Sequence, residues 1–505
     1  MGYKIIGISA SLRNARRGLG KSSLLEEITN IDSEDDLHSF IKQEAEVHLQ
    51  NFVDAGRKEK KPFDEMYTEL KKLKGNKGLS NSEIALTVGL WSAKELGAEL
   101  DYVSLSEHFT EKNEAKGIES LRNQIMEADG FLISTPVYFG DRSSLLQTFV
   151  EFIRQDAELL ESIKGKVYAG ISVGAKRNGG QETTLIYQLM DMINCGMLGV
   201  GNDSETTSQY GGTGLAGDIG TMQKDDYGLK TAMGTGRRLA RVTNMLDMAK
   251  GYDLKGKPNV IFWILQDKDD VAFAKVREII KNNESRIDAY IANVTNQHIM
   301  RCIACDICPV SVDVDEKYRC IIKSKKDDLM NMHTDLLDYD AIIPVVYSPK
   351  DRTGLNSNYQ QFLERTRYFR RGDYVFSDSL TAPIIIEDVG VNENMSIRSI
   401  TSLIRHHTVV SKPMILFKNN GEELNADEIN KLFSDCVDSL VETTKGKLLS
   451  YSSKVNHLKY KPVGYILSSN KDAEDEKLSR RSLMIESRVQ KFSQQAKEKI
   501  EKHIE

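Results

Sequence analysis

The sequence predicts an α/β fold in which two doubly wound parallel-sheet domains follow one another along the chain. Short apolar runs such as Lys4-Ile-Ile-Gly-Ile-Ser9, 130–135 and 167–173 alternate with segments of helical spacing, the rhythm of a parallel sheet with crossover helices. The 505-residue length exceeds one ordinary core and fits two or three domains of roughly 100–200 residues each. The order of runs in the first half also recurs after residue 258. Residues 259–266 parallel the first strand, Asp340-Ala-Ile-Ile-Pro-Val-Val-Tyr347 parallels the stretch from Asp129 to Tyr138, and 383–403 parallels 167–190.

Taken in order, strand 3–9 runs into the polar loop Ser9-Ala-Ser-Leu-Arg13, whose backbone amides and hydroxyls suit a phosphate dianion. A charged helical insertion then spans about 16–78. Ser33-Glu-Asp-Asp36 caps a helix carrying Leu37, Phe40, Ile41, Ala45, Leu49, Phe52 and Val53, and a second pattern runs through Phe63, Met66, Tyr67, Leu70 and Leu73. These helices either coat the domain or a partner subunit, or form a lid over a substrate. The interrupted unit resumes with Ser80-Asn-Ser82 as N-cap of a helix reaching Ala98, then strand 99–105, helix 117–128 and strand 130–135. That strand breaks into Ser134-Thr-Pro-Val-Tyr-Phe-Gly-Asp-Arg-Ser-Ser144, a loop at the carboxyl end where open α/β sheets bind ligands. Strand 167–173 ends in Gly174-Ala-Lys-Arg-Asn-Gly-Gly-Gln-Glu182 and is followed by helix 183–195, strand 197–200, the glycine-rich segment 211–218 and helix 227–249.

Lys255-Gly-Lys-Pro258 reads as a linker, so the domains are 1–255 and 256–450, with a strand and an amphipathic helix in 451–505. The second domain should carry helices at 272–281, 324–337 and 392–403. The tail repeats Ile485, Val489, Phe492, Ala496 and Ile500 at helical spacing. A formal charge of -6 with 28% charged residues of mixed sign marks no nucleic-acid partner. No run approaches the ~20 apolar residues of a membrane span, and no signal-peptide core opens the chain, so a cytoplasmic protein is expected.

Three loops at one sheet edge resemble the NADPH-dependent FMN reductase and iron-sulfur flavoprotein group of flavodoxin-like proteins: 9–13 with 80–82, 135–142, and 174–182. The resemblance covers residues 1 to about 250, apart from the insertion. It implies two flavodoxin-like domains in tandem, with FMN held by the first. Ser9, Ser11, Arg13 and Ser82 would contact the phosphate, and Thr135, Pro136, Val137, Tyr138, Phe139 and Gly140 would run along the isoalloxazine. Asn178, Gly179 and Gly180 would meet its other edge, while Arg142, Lys176 and Arg177 are candidates for a reduced flavin, for nicotinamide phosphates, or for a solvated surface. NADPH or NADH would be the co-substrate. Members of this group bury the flavin at a dimer contact, which points to a homo-oligomer or to the second copy acting as a built-in partner.

The second copy has lost that chemistry, because its first strand ends in Gln266-Asp-Lys-Asp-Asp270 and acidic side chains repel phosphate. In its place it carries Cys302-Ile-Ala-Cys305-Asp-Ile-Cys308-Pro309 and Cys320, a spacing that suits a [4Fe-4S] cluster. Zinc or plain reduced thiols are the alternatives. The remaining cysteines, Cys195 and Cys436, read as small core residues, and His406-His407 as surface or core.

The expected activity is transfer of electrons from a reduced nicotinamide through FMN to a small-molecule or protein acceptor, with the cluster as relay. The rival reading is a flavin and iron-sulfur electron carrier that serves a partner enzyme and has no nicotinamide site of its own. A third is a non-enzymatic scaffold, which the intact loops of the first copy disfavour.

Overall fold

The computed structural model describes residues 2–12, 21–72, 78–110, 115–203, 206, 208–305, 308, 319–322, 326–453, 489–490 and 492–504. Two compact units divide the chain, Met1–Asn244 and Met245–Glu505.

In the first unit the strands are β1 (Lys4–Ser9), β2 (Glu99–Ser104), β3 (Gly130–Pro136), β4 (Val167–Gly174), β5 (Leu198–Gly199) and β6 (Gly212–Leu215). They pair in parallel in the order β2-β1-β3-β4-β5. β5 lies along Val167 and Tyr168, and β6 takes the same side of β4 further on, along Ile171–Gly174. This is the 2-1-3-4-5 order of the flavodoxin-like fold, with its switch point between β1 and β3. β3 is buried over its first six residues and β4 throughout, as expected of strands covered on both faces.

The helix Asn81–Lys94 is buried from Ser82 through Ala93 and begins in a capping box. Ser80 Oγ accepts from the Glu83 amide, and Glu83 Oε2 accepts from the Ser80 amide at 2.9 Å. Ser80 is therefore the N-cap and Ser82 sits inside the first turn. The insertion forms helices Lys21–Thr29, Glu34–Phe52 and Phe63–Lys72, and Ser33 caps the second by accepting from the Asp36 amide at 3.1 Å. It packs against the helix Asn81–Lys94, where Trp91 Nε1 donates to the Ile31 carbonyl at 3.0 Å.

The second unit repeats the topology. Its strands are β7 (Asn259–Asp267), β8 (Asp288–Asn293), β9 (Ala341–Ser348), β10 (Asn356–Ser357), β11 (Leu380–Thr381), β12 (Ile384–Asp388), β13 (Val409–Val410), β14 (Met414–Asn419) and β15 (Glu422–Glu423). The parallel order is β8-β7-β9-β12-β14, again 2-1-3-4-5. Trp263, Phe362, Phe369 and Phe376 pack edge-on or tilted at its centre.

Some expectations need correction. The helix expected at 324–337 is replaced by two short 3₁₀ turns, Asp328–Met330 and Thr334–Leu336. The Asp327 and Asp328 carboxylates accept the Met300 and His298 amides at 3.0 and 2.7 Å, and His333 is buried against the Tyr368 hydroxyl at 2.7 Å. Such tertiary bonds outcompete a regular helical ladder. The glycine-rich segment 211–218 contains a strand, β6. His406 ends a 3₁₀ turn and His407 adopts a left-handed backbone, both buried. In the tail, 492–503 is helical, and the expected strand lies outside the described residues apart from 451–453, which close a helix.

Candidate functional site

The carboxyl ends of β1, β3 and β4 bring three loops together. Loop one continues β1: Ser9 and Ser11 are buried, Leu12 is half exposed, and Arg13 lies outside the described residues. The Ala10 amide donates to the Ser134 carbonyl at 2.9 Å, and Ser143 Oγ donates to the Ala10 carbonyl at 2.6 Å. Ser143 also caps the helix Ser144–Gln155, and its amide donates to Thr135 Oγ1 at 3.1 Å. One serine thus fastens loop one to loop two. The N-terminus of the buried helix Asn81–Lys94 reaches the same place, since Ser134 Oγ donates to the Ser82 carbonyl at 2.8 Å. First-turn amides lack intrahelical partners and favour an anion.

Loop two is a tight hairpin. Tyr138 and Asp141 exchange backbone bonds of 2.8 and 2.9 Å, and Phe139 and Gly140 between them have φ of 53° and 79°. Two positive φ values mark a type I′ turn, in which glycine is the natural second residue. The turn thrusts Phe139 wholly into solvent and leaves Tyr138 half exposed.

Loop three closes on the hairpin. Gly180 has φ of 104°, and a Cβ there would lie 2.8 Å from Gly140 Cα and 3.2 Å from Val137 Cγ1. Buried Gln181 organises the loop: Oε1 accepts from the Gly179 amide at 2.8 Å, and Nε2 donates to the carbonyls of Lys176 and Gly214. Asn178 takes φ of 58° at the loop's exposed crest. Sequence reasoning did not single out Gln181 or Ser143, although each had a signal, a glutamine inside the Gly-Gly-Gln-Glu motif and a serine directly before an apolar helix. Asn81 was also missed. Its Oδ1 accepts from the Thr221 and Met222 amides, and its Nδ2 donates to the Asp218 carbonyl, so it ties the 218–222 loop to the helix start.

Two of the three basic candidates are committed within the fold. Arg142 pairs with Asp191 at 3.0 Å and Asp141 at 2.9 Å, and Arg154 also approaches Asp191. Burial raises the Asp191 pKa, and Arg142 and Arg154 oppose the rise. Arg177 pairs with Asp225, donates to the Thr213 carbonyl and lies over the Tyr227 ring. Lys176 is exposed.

Ser9 Oγ is buried and makes no hydrogen bond of ordinary geometry among the described residues, and the Tyr102 hydroxyl lies close enough to interact with it. A helix N-terminus, a glycine-floored loop and two exposed aromatic rings together fit a flat ring system that bears a phosphate.

A profile of the NADPH-dependent FMN reductase family matches residues 76–209, which take in the helix Asn81–Lys94 and loops two and three. An iron-sulfur flavoprotein of Methanocaldococcus jannaschii is 31% identical over 179 residues, covering 33% of this chain and 92% of the relative. The chain belongs to this family. Two other relatives are an iron-sulfur flavoprotein of Methanosarcina thermophila (28% identical; 33% of this chain, 90% of the relative) and an NAD(P)H dehydrogenase (quinone) of Methylocella silvestris (28%; 30% and 86%). Family membership makes the protein a flavin-dependent oxidoreductase. No helix among the described residues is long and apolar enough to cross a membrane.

The equivalent edge of the second unit is filled by its own side chains. Asp267, at the end of β7, accepts from the amides of Ala272 and Phe273 at 2.8 and 3.0 Å in the first turn of the helix Val271–Asn283. This carboxylate sits where an anion would otherwise bind. Gln266 Nε2 donates to the Tyr347 carbonyl at 2.9 Å, and Asp351, Asp388 and Glu393 are bonded nearby to Lys268, Tyr347 and Arg352. All four clustered cysteines, Cys302, Cys305, Cys308 and Cys320, line one cavity with Arg365, Arg367 and Tyr368. Pro309 lies outside the described residues.

Proposed function

We propose that the protein is an NAD(P)H oxidoreductase that binds one FMN per chain in the first unit and carries a [4Fe-4S] cluster in the second. The convergence of the three loops at the start of the helix Asn81–Lys94 carries the flavin reading. Ser9, Ser11, Arg13 and the helix start at Ser80–Ser82 would hold the phosphate. Thr135 through Gly140 would lie along the ring, and Asn178, Gly179 and Gly180 would meet its far edge. When bound, FMN would supply hydride-transfer and electron-transfer chemistry. The residues bind, orient and exclude water, and no side chain is required as nucleophile or base. Asp267 and its acidic neighbours support a single flavin, since the second edge already holds an anion of its own.

The C-x2-C-x2-C spacing with Cys320 and the shared cavity support the cluster reading, since all four cysteines line that cavity. The cluster's chemistry would be single-electron relay.

The decisive experiment is the absorption spectrum, iron and sulfide content of anaerobically purified protein, followed by anaerobic addition of NADPH or NADH. Flavin bands that bleach with nicotinamide support the oxidoreductase. Flavin that responds only to a ferredoxin-type donor would establish the carrier reading. A colourless protein unable to take up FMN would overturn both. Cys305→Ser should abolish the broad cluster absorption and leave the flavin bands in place.

A further inference from the structure

Among the described residues, the lining of the cysteine cavity includes two arginines, Arg365 and Arg367, and no carboxylate. Arg365 is buried at 2% exposure and is held rigidly. Its Nη2 and Nη1 donate to the two carboxylate oxygens of Asp327 at 2.7 and 3.2 Å, with Asp327 itself fully buried. Nη1 also donates to the Met300 carbonyl at 2.8 Å, and Asp327 Oδ1 accepts the Met300 amide at 3.0 Å. The pair therefore grips the backbone two residues before Cys302. On the far side of the cluster motif, Arg319 Nη1 donates to the Met330 carbonyl at 2.9 Å, anchoring the residue next to Cys320.

One group is left over. Arg365 Nε is buried and makes no hydrogen bond of ordinary geometry among the described residues, while the Cys320 sulfur lies close enough to interact with the guanidinium. Leaving a charged donor unsatisfied in a low-dielectric site is expensive, and the cysteine sulfurs are acceptors that this cavity offers.

We propose that Arg365 is a positioning and tuning residue for the cysteine site: clamped by Asp327, it directs its Nε–H toward the sulfur of Cys320 and raises the reduction potential of the anionic centre the four sulfurs hold. The inference rests on the cluster reading above. A fixed positive charge and a hydrogen bond to sulfur both favour the more negative, reduced state, and hydrogen bonding and net charge are established controls of cluster potential. Asp327 has a different task, since it orients Arg365 and cancels part of its charge.

The test compares reductive titrations, followed by electron paramagnetic resonance, of the full-length wild type, Arg365→Lys, and the double variant Asp327→Asn/Arg365→Gln. The double variant removes both buried charges together and so avoids stranding a carboxylate. Circular dichroism and iron and sulfide content establish that each protein is folded and loaded. Arg365→Lys keeps the charge but loses the Nε donor and should lower the potential. The double variant should lower it further, changing the reduced-to-oxidised ratio at fixed potential by at least tenfold, or about 59 mV for a one-electron couple. Loaded variants with the wild-type potential would overturn this role for Arg365 and leave the cluster reading standing. A wild type without iron and sulfide would overturn both, and that result is visible before any variant is made.

Discussion

Replacing Gly180 by alanine tests whether loops two and three act as one binding surface. The new Cβ would lie 2.8 Å from Gly140 Cα, closer than carbon atoms pack, and 3.2 Å from Val137 Cγ1. Gly140 cannot simply yield, because the Tyr138–Asp141 backbone pair locks the hairpin on either side. The φ of 104° adds its own cost, about 1–3 kcal/mol for a residue with a side chain. Gly97 provides a matched control, with φ of 89° and open space within 4 Å of where an alanine Cβ would stand. Both variants should lose stability to denaturant through the backbone term. Only Gly180→Ala should also displace the hairpin and weaken FMN binding, by about tenfold or more, equivalent to about 1.4 kcal/mol. Fluorescence quenching of FMN on titration with each protein measures this directly. Equal affinities for Gly180→Ala and Gly97→Ala would refute a flavin floor built from these loops.

Three further outcomes follow from individual groups. Ser9→Ala removes a buried hydroxyl at the end of β1, so FMN affinity should fall by about 1 kcal/mol with little change in stability, read by paired denaturation and binding titrations. Asp267→Ala removes the carboxylate at the start of the helix Val271–Asn283 and should cost about 1 kcal/mol in urea unfolding, with flavin content unchanged at one per chain. Burial, helped by Arg370 and Arg405, pushes His406 down to about 3 from an ordinary 6.5. The unfolded chain therefore binds the extra proton first, so this stabilisation is complete above pH 6.5 and is lost as pH falls toward 3. The loss has a limiting slope of about 1.4 kcal/mol per pH unit. His406→Asn should flatten the pH dependence of unfolding in that window relative to wild type, and parallel profiles would assign the acid sensitivity to other groups.

The strands and their ligand loops were legible because buried parallel strands are apolar throughout and their ends are marked by serine, proline and glycine. β1, β3, β4, β7 and β9 fall where the runs are, and the Tyr138–Gly180 region is where the motifs pointed. The failures share a physical cause. Residues 326–337 look helical, but Asp327, Asp328 and His333 spend their polar groups on partners far along the chain. Arg142 and Arg177 look like ligand cations, yet Asp191 and Asp225 had claimed them in a way that only spatial proximity reveals. Ser82 was read with Ser80 as one cap, and the reciprocal bond to Glu83 assigns the capping role to Ser80.

The sequence alone determined the family, the parallel strand pattern, the three loop motifs and the grouping of four cysteines, because each is written in local residue order. The tertiary structure decided how those pieces become chemistry. It brought Gly180 against Gly140, fastened loop one to loop two through Ser143, seated Asp267 on a helix that could otherwise bind an anion, and placed Arg365 beside the cysteines. Each of these is a matter of residues many positions apart, set by strand order and packing rather than by any local preference of the chain.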